Sequence, residues 1–201
     1  MSFVKTVAQL RSTTNLPITQ CVEAAEQAGG DYDRALTILQ ESSRNVEAKK
    51  LDRLTVEGVI DCYVHFNGKV AAMVELECET DFVAKNEEFR QLARDIAMHV
   101  VVARPIWVCA KKDDGFEDTA AEVGWKNHLH EVKEEFSDKP EQIREKIALG
   151  KMGKWLSEVS LVHQPYAKDE DKKVGDLINE AISKFGENIK VRRFVVFDVK
   201  E

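Results

Sequence analysis

The dipeptide Asn67-Gly68 lies between two apolar-rich runs, Val59–Phe66 and Lys69–Glu77, and no other feature restricts the fold as tightly. Asn and Gly accept the backbone that tight antiparallel turns demand, so the pair predicts a β-hairpin. In the second run Val70, Ala72, Val74 and Leu76 alternate with Lys69, Glu75 and Glu77. That alternation sends one face to a core and leaves the other partly wet. A lone hairpin is marginal in water, so further elements must cover it.

Those elements are legible on both sides. Upstream, Val4, Val7 and Leu10 with Ala8 form a helical stripe that ends before Thr13-Thr14-Asn15. Pro17 opens a second helix that Gly29-Gly30 stops, and Asp31 caps a third carrying Ala35, Leu36, Ile38 and Leu39. Three short helices bury only a small core, which suits a docking unit better than a catalytic one. A charged, helical connector is expected over 44–53. Downstream, Asn86 opens a helix with Phe89, Leu92, Ala93, Ile96, Ala97 and Val100 in register, ending before Arg104-Pro105. From Asp113 to about Ser160 the chain is charge-rich and helical, broken at Ser137-Asp138-Lys139-Pro140. This reads as a helical hairpin in which Val132 and Phe136 face Ile143 and Ile147. A helix over Val174–Phe185 and a strand over Ile189–Val199 close the chain, with Val191, Val195, Phe197 and Val199 on offer to the sheet. Strands interleaved with helices in this order predict an α+β fold.

Composition narrows the chemistry. With 43% hydrophobic residues in 201, the chain has material for a real core. A net charge of −7 demotes general nucleic-acid binding, which draws most of its affinity from phosphate neutralisation. Cys21, Cys62, Cys78 and Cys109 form no C-x-x-C pair, so neither a zinc ribbon nor a dithiol motif is expected. Met1–Thr6 runs straight into an amphipathic pattern without a signal peptide, and the apolar stretch Ile96–Ala103, interrupted by His99, is too short to span a bilayer. The expectation is a reduced protein of the cytoplasm with no membrane contact.

Catalytic patterns are nearly absent. No G-x-x-x-x-G-K-[ST] or G-x-G-x-x-G occurs, so the chain is not expected to hold nucleotide phosphates itself. His128 and His130 point to different faces of a helix and make poor joint metal ligands. No cofactor and no metal site is expected. One connector stands out: Glu79-Thr80-Asp81-Phe82-Val83-Ala84-Lys85-Asn86 places an aromatic beside a carboxylate. Thr80 or Asp81 could cap a turn while Phe82 enters the core. Alternatively, Asp81 and Phe82 form a stiff tip that offers a partner large contact area with few torsions to freeze.

Thr80-Asp81-Phe82-Val83-Ala84-Lys85-Asn86 resembles the T-D-F-V-A-K/R-N signature of bacterial elongation factor Ts, the guanine-nucleotide exchange factors of elongation factor Tu. Further blocks resemble that family in order: Ala97-Met98-His99, Lys139-Pro140 with Ile143, Glu158–Leu161 with Gln164-Pro165-Tyr166, and Gly186-Glu187-Asn188-Ile189 with Arg192-Arg193-Phe194. The resemblance implies a ubiquitin-associated-like three-helix domain with its connector over 1–54. It also implies an antiparallel-sheet core domain over 55–112 and 159–201 and a coiled-coil hairpin over 113–158. It further implies a short, homodimeric member without covalent chemistry. Thr80, Asp81, Phe82 and Val83 would then press on the GTPase domain of Tu so that magnesium and GDP leave. Tyr63, His65, Gln164, Pro165 and Tyr166 would face its third domain. Ile18, Thr19 and Val22 would form an N-terminal contact, although the family's T-G-A-G-M-M-D-C-K-K loop is altered here, with Val22 and Glu23 in place of two lysines. In the last strand Phe194-Val195-Val196-Phe197 replaces the cysteine that bridges some family dimers, so no bridge is expected. The alternative function is an adaptor of the same fold, which would not need Asp81 or Phe82.

Overall fold

The structure is a computed structural model and describes residues 3–14, 16–39, 53–109 and 119–200. Its helices are α1 (Phe3–Thr14), α2 (Ile18–Gln27), α3 (32–39), the single turn α4 (Asp81–Ala84), α5 (Glu87–Ala103), α6 (Thr119–Glu135), α7 (Glu141–Val159) and α8 (Val174–Phe185). Its strands are β1 (Glu57–Val64), β2 (Val70–Cys78), β3 (Pro165–Tyr166), β4 (Asp169–Lys173) and β5 (Lys190–Asp198), with a 3₁₀ turn over Leu161–His163. The expected connector at 44–53 lies outside the described residues except for Arg53.

The first three helices close on a small core of their own, with Leu10, Cys21, Ala25 and Ala35 fully buried. Val4, expected on the inner stripe of α1, is exposed, and Thr6 is buried instead, its hydroxyl donating to Gly30 O at 3.0 Å. A buried hydroxyl is tolerated because that bond satisfies it. Pro17 precedes α2 as its cap rather than entering it, and Asp31 caps α3 by accepting from Arg34 N–H at 2.8 Å.

β1, β2 and β5 form one antiparallel sheet in the order β1-β2-β5. The hairpin connection is longer than the two residues Asn67-Gly68. His65 N–H donates to Val70 O, and Gly68 N–H donates to His65 O, both at 2.8 Å. Gly68 takes φ +67° while Asn67 stays at negative φ, so the turn centres on Phe66-Asn67 and Gly68 supplies the left-handed step. Phe66 is thereby pushed to the tip and left 91% exposed.

α5 covers the inner face of the sheet. Phe89, Ala93, Ile96, Ala97 and Val100 pack with Ala72, Val74, Leu76 and Cys78 in one buried cluster, which α8 completes with Ile178 and Ile182. β5 departs from the expected alternation. Leu76 pairs with Val191 while Glu75 pairs with Arg193, leaving Arg192 as the extra residue of a bulge. A bulge reverses which side chains face inward beyond it. Val191 is buried as expected, but Phe194 and Val196 pack on the core, while Val195, Phe197 and Val199 are exposed.

α6 and α7 pack against each other as a helical hairpin. Its seam is Val132, Ala148 and Met152 rather than the expected Ile143, which is exposed. Phe136 lies under the Lys151 ammonium at 4.4 Å. At the other end Trp107 and Trp155 pack 5.7 Å apart and His128 stacks on Trp155. Gly124 lets α6 approach, since a Cβ there would come within 2.8 Å of the Trp107 ring. The short β3–β4 hairpin has no counterpart in the expectations, since its strand Asp169–Lys173 is wholly charged.

Gly58 faces Glu77 across the β1–β2 ladder, and a Cβ there would collide with Leu76 O and come within 3.0 Å of the Glu77 Cα. Gly58→Ala is therefore expected to destabilise the chain by about 1–3 kcal/mol in urea unfolding, the range of forced overpacking.

Candidate functional site

β2 ends at Cys78, and the chain continues extended through Thr80, whose φ is −129° and ψ 155°. It then closes the single turn α4, in which Ala84 N–H donates to Thr80 O at 3.2 Å and Lys85 N–H to Asp81 O at 3.0 Å. Successive residues of such a turn point about 100° apart. Val83 and Ala84 therefore enter the core cluster while Phe82 points outward, 83% exposed. The option that Phe82 enters the core is excluded. Asp81 leads the turn, where its charge suits the free N–H groups. The Lys85 ammonium, 2.6 Å from Asp81 Oδ2, holds the Asp81 carboxyl below its ordinary range.

Thr80 is anchored from several sides. Its N–H and hydroxyl donate to Glu187 at 3.0 and 2.5 Å, and the Glu79 N–H joins them at 3.1 Å. The Cys78 thiol donates to Thr80 O at 3.2 Å, and burial pushes that thiol up to about 11. A thiol so raised stays protonated near neutrality and acts as a small buried donor, not a nucleophile. The site thus has a fixed base, one exposed ring and one paired carboxylate.

The other expected contacts lie elsewhere. Tyr63 and His65 sit toward the hairpin turn, at the far end of β2 from Thr80, and nine strand residues span roughly 30 Å. Tyr63 Oη and His65 Nδ1 are 3.5 Å apart, and the His65 and Phe66 rings are 4.4 Å apart. Both residues are half-buried, and Pro165 is exposed.

Gln164 and Tyr166, expected to face a partner, are instead buried. The physical reason is His99, which lies one helical turn beyond Ile96 on the inner face of α5 and needs partners. Its Nε2 pairs with Gln164 Oε1 at 3.0 Å, and its Nδ1 accepts the Ala167 N–H at 3.2 Å. The Gln164 amide then donates to Glu158 O and Ala103 O. The Tyr166 ring packs 6.0 Å from the His99 ring. These residues tie α5 to the end of α7 and to β3, and serve as interior support. Ile18 and Thr19 are exposed, and Ile18 and Val22 line an apolar groove of about 620 Å³ with Phe3, Val4, Val7 and Ala8.

In the sequence His99 and Glu187 stand within blocks that resemble the family named above, with no part in the site assigned to either. His99 carries a further signal, its place on the buried stripe of α5; for Glu187 nothing in the sequence points to its partner, which is 107 positions away. Among the described residues no group of three metal-ligating side chains converges, and no helix is long and apolar enough to cross a membrane.

A family model described as Elongation factor TS matches residues 1–201. A relative named Elongation factor Ts from Thermosipho melanesiensis is 44% identical over 201 residues, all of both chains. One of the same name from Rubrobacter xylanophilus is 42% identical over 98% of each chain, and one from Thermotoga maritima is 42% identical over 97% of this chain and 94% of its own.

Burial lowers the His99 imidazole below its ordinary value of 6.5. The unfolded chain takes up that proton first, so this stability is full above pH 6.5 and declines as pH falls toward the folded value. Urea unfolding at pH 7.5 and about pH 5 is expected to show a drop in the wild type that is smaller in His99→Gln.

Proposed function

The chain belongs to the elongation factor Ts family, and from that premise we propose that it drives GDP off elongation factor Tu with the Thr80–Val83 turn. Members of the family are guanine-nucleotide exchange factors of translation elongation. They make and break no covalent bond.

The observation that supports the turn is the 83% exposure of Phe82 beside the buried Val83 and Ala84. Leaving such a ring in water forgoes about 1.5–3 kcal/mol that a partner's pocket would return. An adaptor of the same fold would have no use for this exposure. Exchange works by linkage: the preference of the chain for nucleotide-free Tu over the GDP form equals the loss in GDP affinity. Weakening GDP about ten-thousand-fold needs roughly 5.5 kcal/mol of such preference, more than one ring supplies. Other surfaces must therefore share the work. On this reading Asp81 meets the GTPase domain beside Phe82, with Val83 and Thr80 holding the turn from below. Tyr63, His65 and the exposed Pro165 are surfaces for the third domain of Tu, which Gln164 and Tyr166 support from within. Ile18, Thr19 and Val22 offer a third contact beside the α1–α2 groove. On this reading the units are 1–54, ubiquitin-associated-like, the core of 55–112 with 159–201, and the coiled-coil hairpin 113–158. The chain works in the cytoplasm, where Tu works.

A second copy suits the outer face of the sheet. Cys62, Met73 and Val195 form one exposed cross-strand row, and the next carries the exposed Val64 and Phe197 about the half-buried Ala71. The row beyond carries Glu75 and Arg193, which pair with each other at 2.5 Å and leave the patch without net charge. Two such faces packed sheet on sheet bury apolar side chains without opposing like charges.

Phe82→Ala is expected to slow release of fluorescent GDP from Tu in stopped flow more than it weakens binding of nucleotide-free Tu; unchanged release would refute the role of the ring. Val195→Glu is expected to give a monomer in analytical ultracentrifugation at concentrations where the wild type is a dimer. A variant as dimeric as the wild type would remove the sheet face as the interface.

A further inference from the structure

We infer that Glu187 is a positioning residue for nucleotide exchange, clipping the base of the Thr80–Val83 turn so that the force on Phe82 reaches Tu. The inference rests on the exchange-factor reading above and adds to it a residue that acts through Thr80 rather than through the ring.

The clip is reciprocal. Glu187 accepts three hydrogen bonds from the turn side, the Glu79 N–H, the Thr80 N–H and the Thr80 hydroxyl. In return Glu79 Oε1 accepts the Asn188 N–H at 2.6 Å. Two segments more than a hundred residues apart in sequence thus each lend a carboxylate to the backbone of the other. Bonds from N–H and O–H groups to a carboxylate are the strong kind and fix direction as well as distance.

Local structure explains why Glu187 can reach. α8 ends on Gly186, whose φ of +78° is the left-handed step that turns the chain out of the helix. The next residue is Glu187, delivered to the end of β2. β5 then runs back along β2 from Lys190, which pairs with Glu77. The clip therefore sits where two neighbouring strands meet the turn, and neither strand alone holds it.

The mechanical consequence follows from where bonds are and where they are not. Among the described residues Asp81 forms its ion pair only with Lys85 of the same turn, and Phe82 is exposed. Val83 and Ala84 resist inward motion of the turn by their burial. Sliding or tilting of its first residue is resisted by the Glu187 carboxylate and by the Cys78 thiol on Thr80 O. Without the carboxylate the turn would still dock on Tu through its ring but would yield when the pocket pushes back. Misplacement of a working group costs the driven step far more than it costs binding.

The test compares Glu187→Ala with Glu187→Gln in the full chain. The amide oxygen of Gln can still accept both backbone N–H groups, so it is the conservative control. In stopped flow with Tu carrying fluorescent GDP, Glu187→Ala is expected to lower the limiting release rate about tenfold or more, with a smaller change in half-saturating concentration. Glu187→Gln is expected to restore most of that rate. Hydrogen exchange followed by NMR is expected to show the Glu79 and Thr80 amides deprotected in Glu187→Ala and protected in Glu187→Gln. Release at the wild-type limiting rate by Glu187→Ala overturns the inference, as does equal loss in both variants. If Glu187→Ala does not fold, Thr80→Ser and Thr80→Val isolate the hydroxyl bond. Retained rate in Ser with loss in Val supports the clip, and equal rates in the two overturn it. If the wild type itself fails to release GDP, the exchange reading falls, while the amide protection still decides whether the clip exists.

Discussion

The burial of Val83 and Ala84 beneath the end of β2 is the contact on which the rest of the tip depends. One helical turn cannot hide all its side chains, so anchoring these two forces Phe82 outward. The core beneath them is built by α5 on the inner face of β1-β2-β5, with Phe89 and Ile96 fully buried at its centre. The same packing fixes the far end of α5, where Arg104 takes a left-handed φ of 49° and pairs with Asp198 of β5. Both ends of the sheet are therefore tied to one helix, and a push at the tip is met by the whole layer.

That layer is one-sided. The bulge at Arg192 lets β5 serve both faces, sending Val191, Phe194 and Val196 inward and Val195 and Phe197 outward. A regular strand would have kept either Val191 or Val196 off the core. The by-product is an outer face on which Met73, Val195 and Phe197 are exposed. In the dimer proposed above a second copy would cover that face and add contact surfaces to a chain whose single ring falls short of the required coupling.

Much of this was legible in the sequence, for identifiable reasons. Asn67-Gly68 marked the hairpin because few residues tolerate the turn, and the period of α5 was clear because five of its apolar residues are fully buried. What failed was whatever depended on contacts distant in sequence. The bulge at Arg192 is set by pairing with β2, so the outward turn of Val195 and Phe197 leaves no mark in β5 itself. Gln164 and Tyr166 look like surface residues until His99 is seen to need them. Glu187 stands in a block that resembles the family, but its partner is visible only once Thr80 is found within 3.0 Å of it. The signature Thr80–Asn86 was recognisable as a whole, but the roles within it separate only in three dimensions: Thr80 held, Phe82 offered, Val83 buried.

The claim that this tip acts as a reusable lever on Tu is tested most directly by following fluorescent GDP as it leaves Tu with far less wild-type chain than Tu present. The expected result is complete release at a rate that scales with the amount of chain, each molecule serving many Tu molecules in turn. A burst no larger than the amount of chain added, or a rate no faster than spontaneous loss, would contradict it.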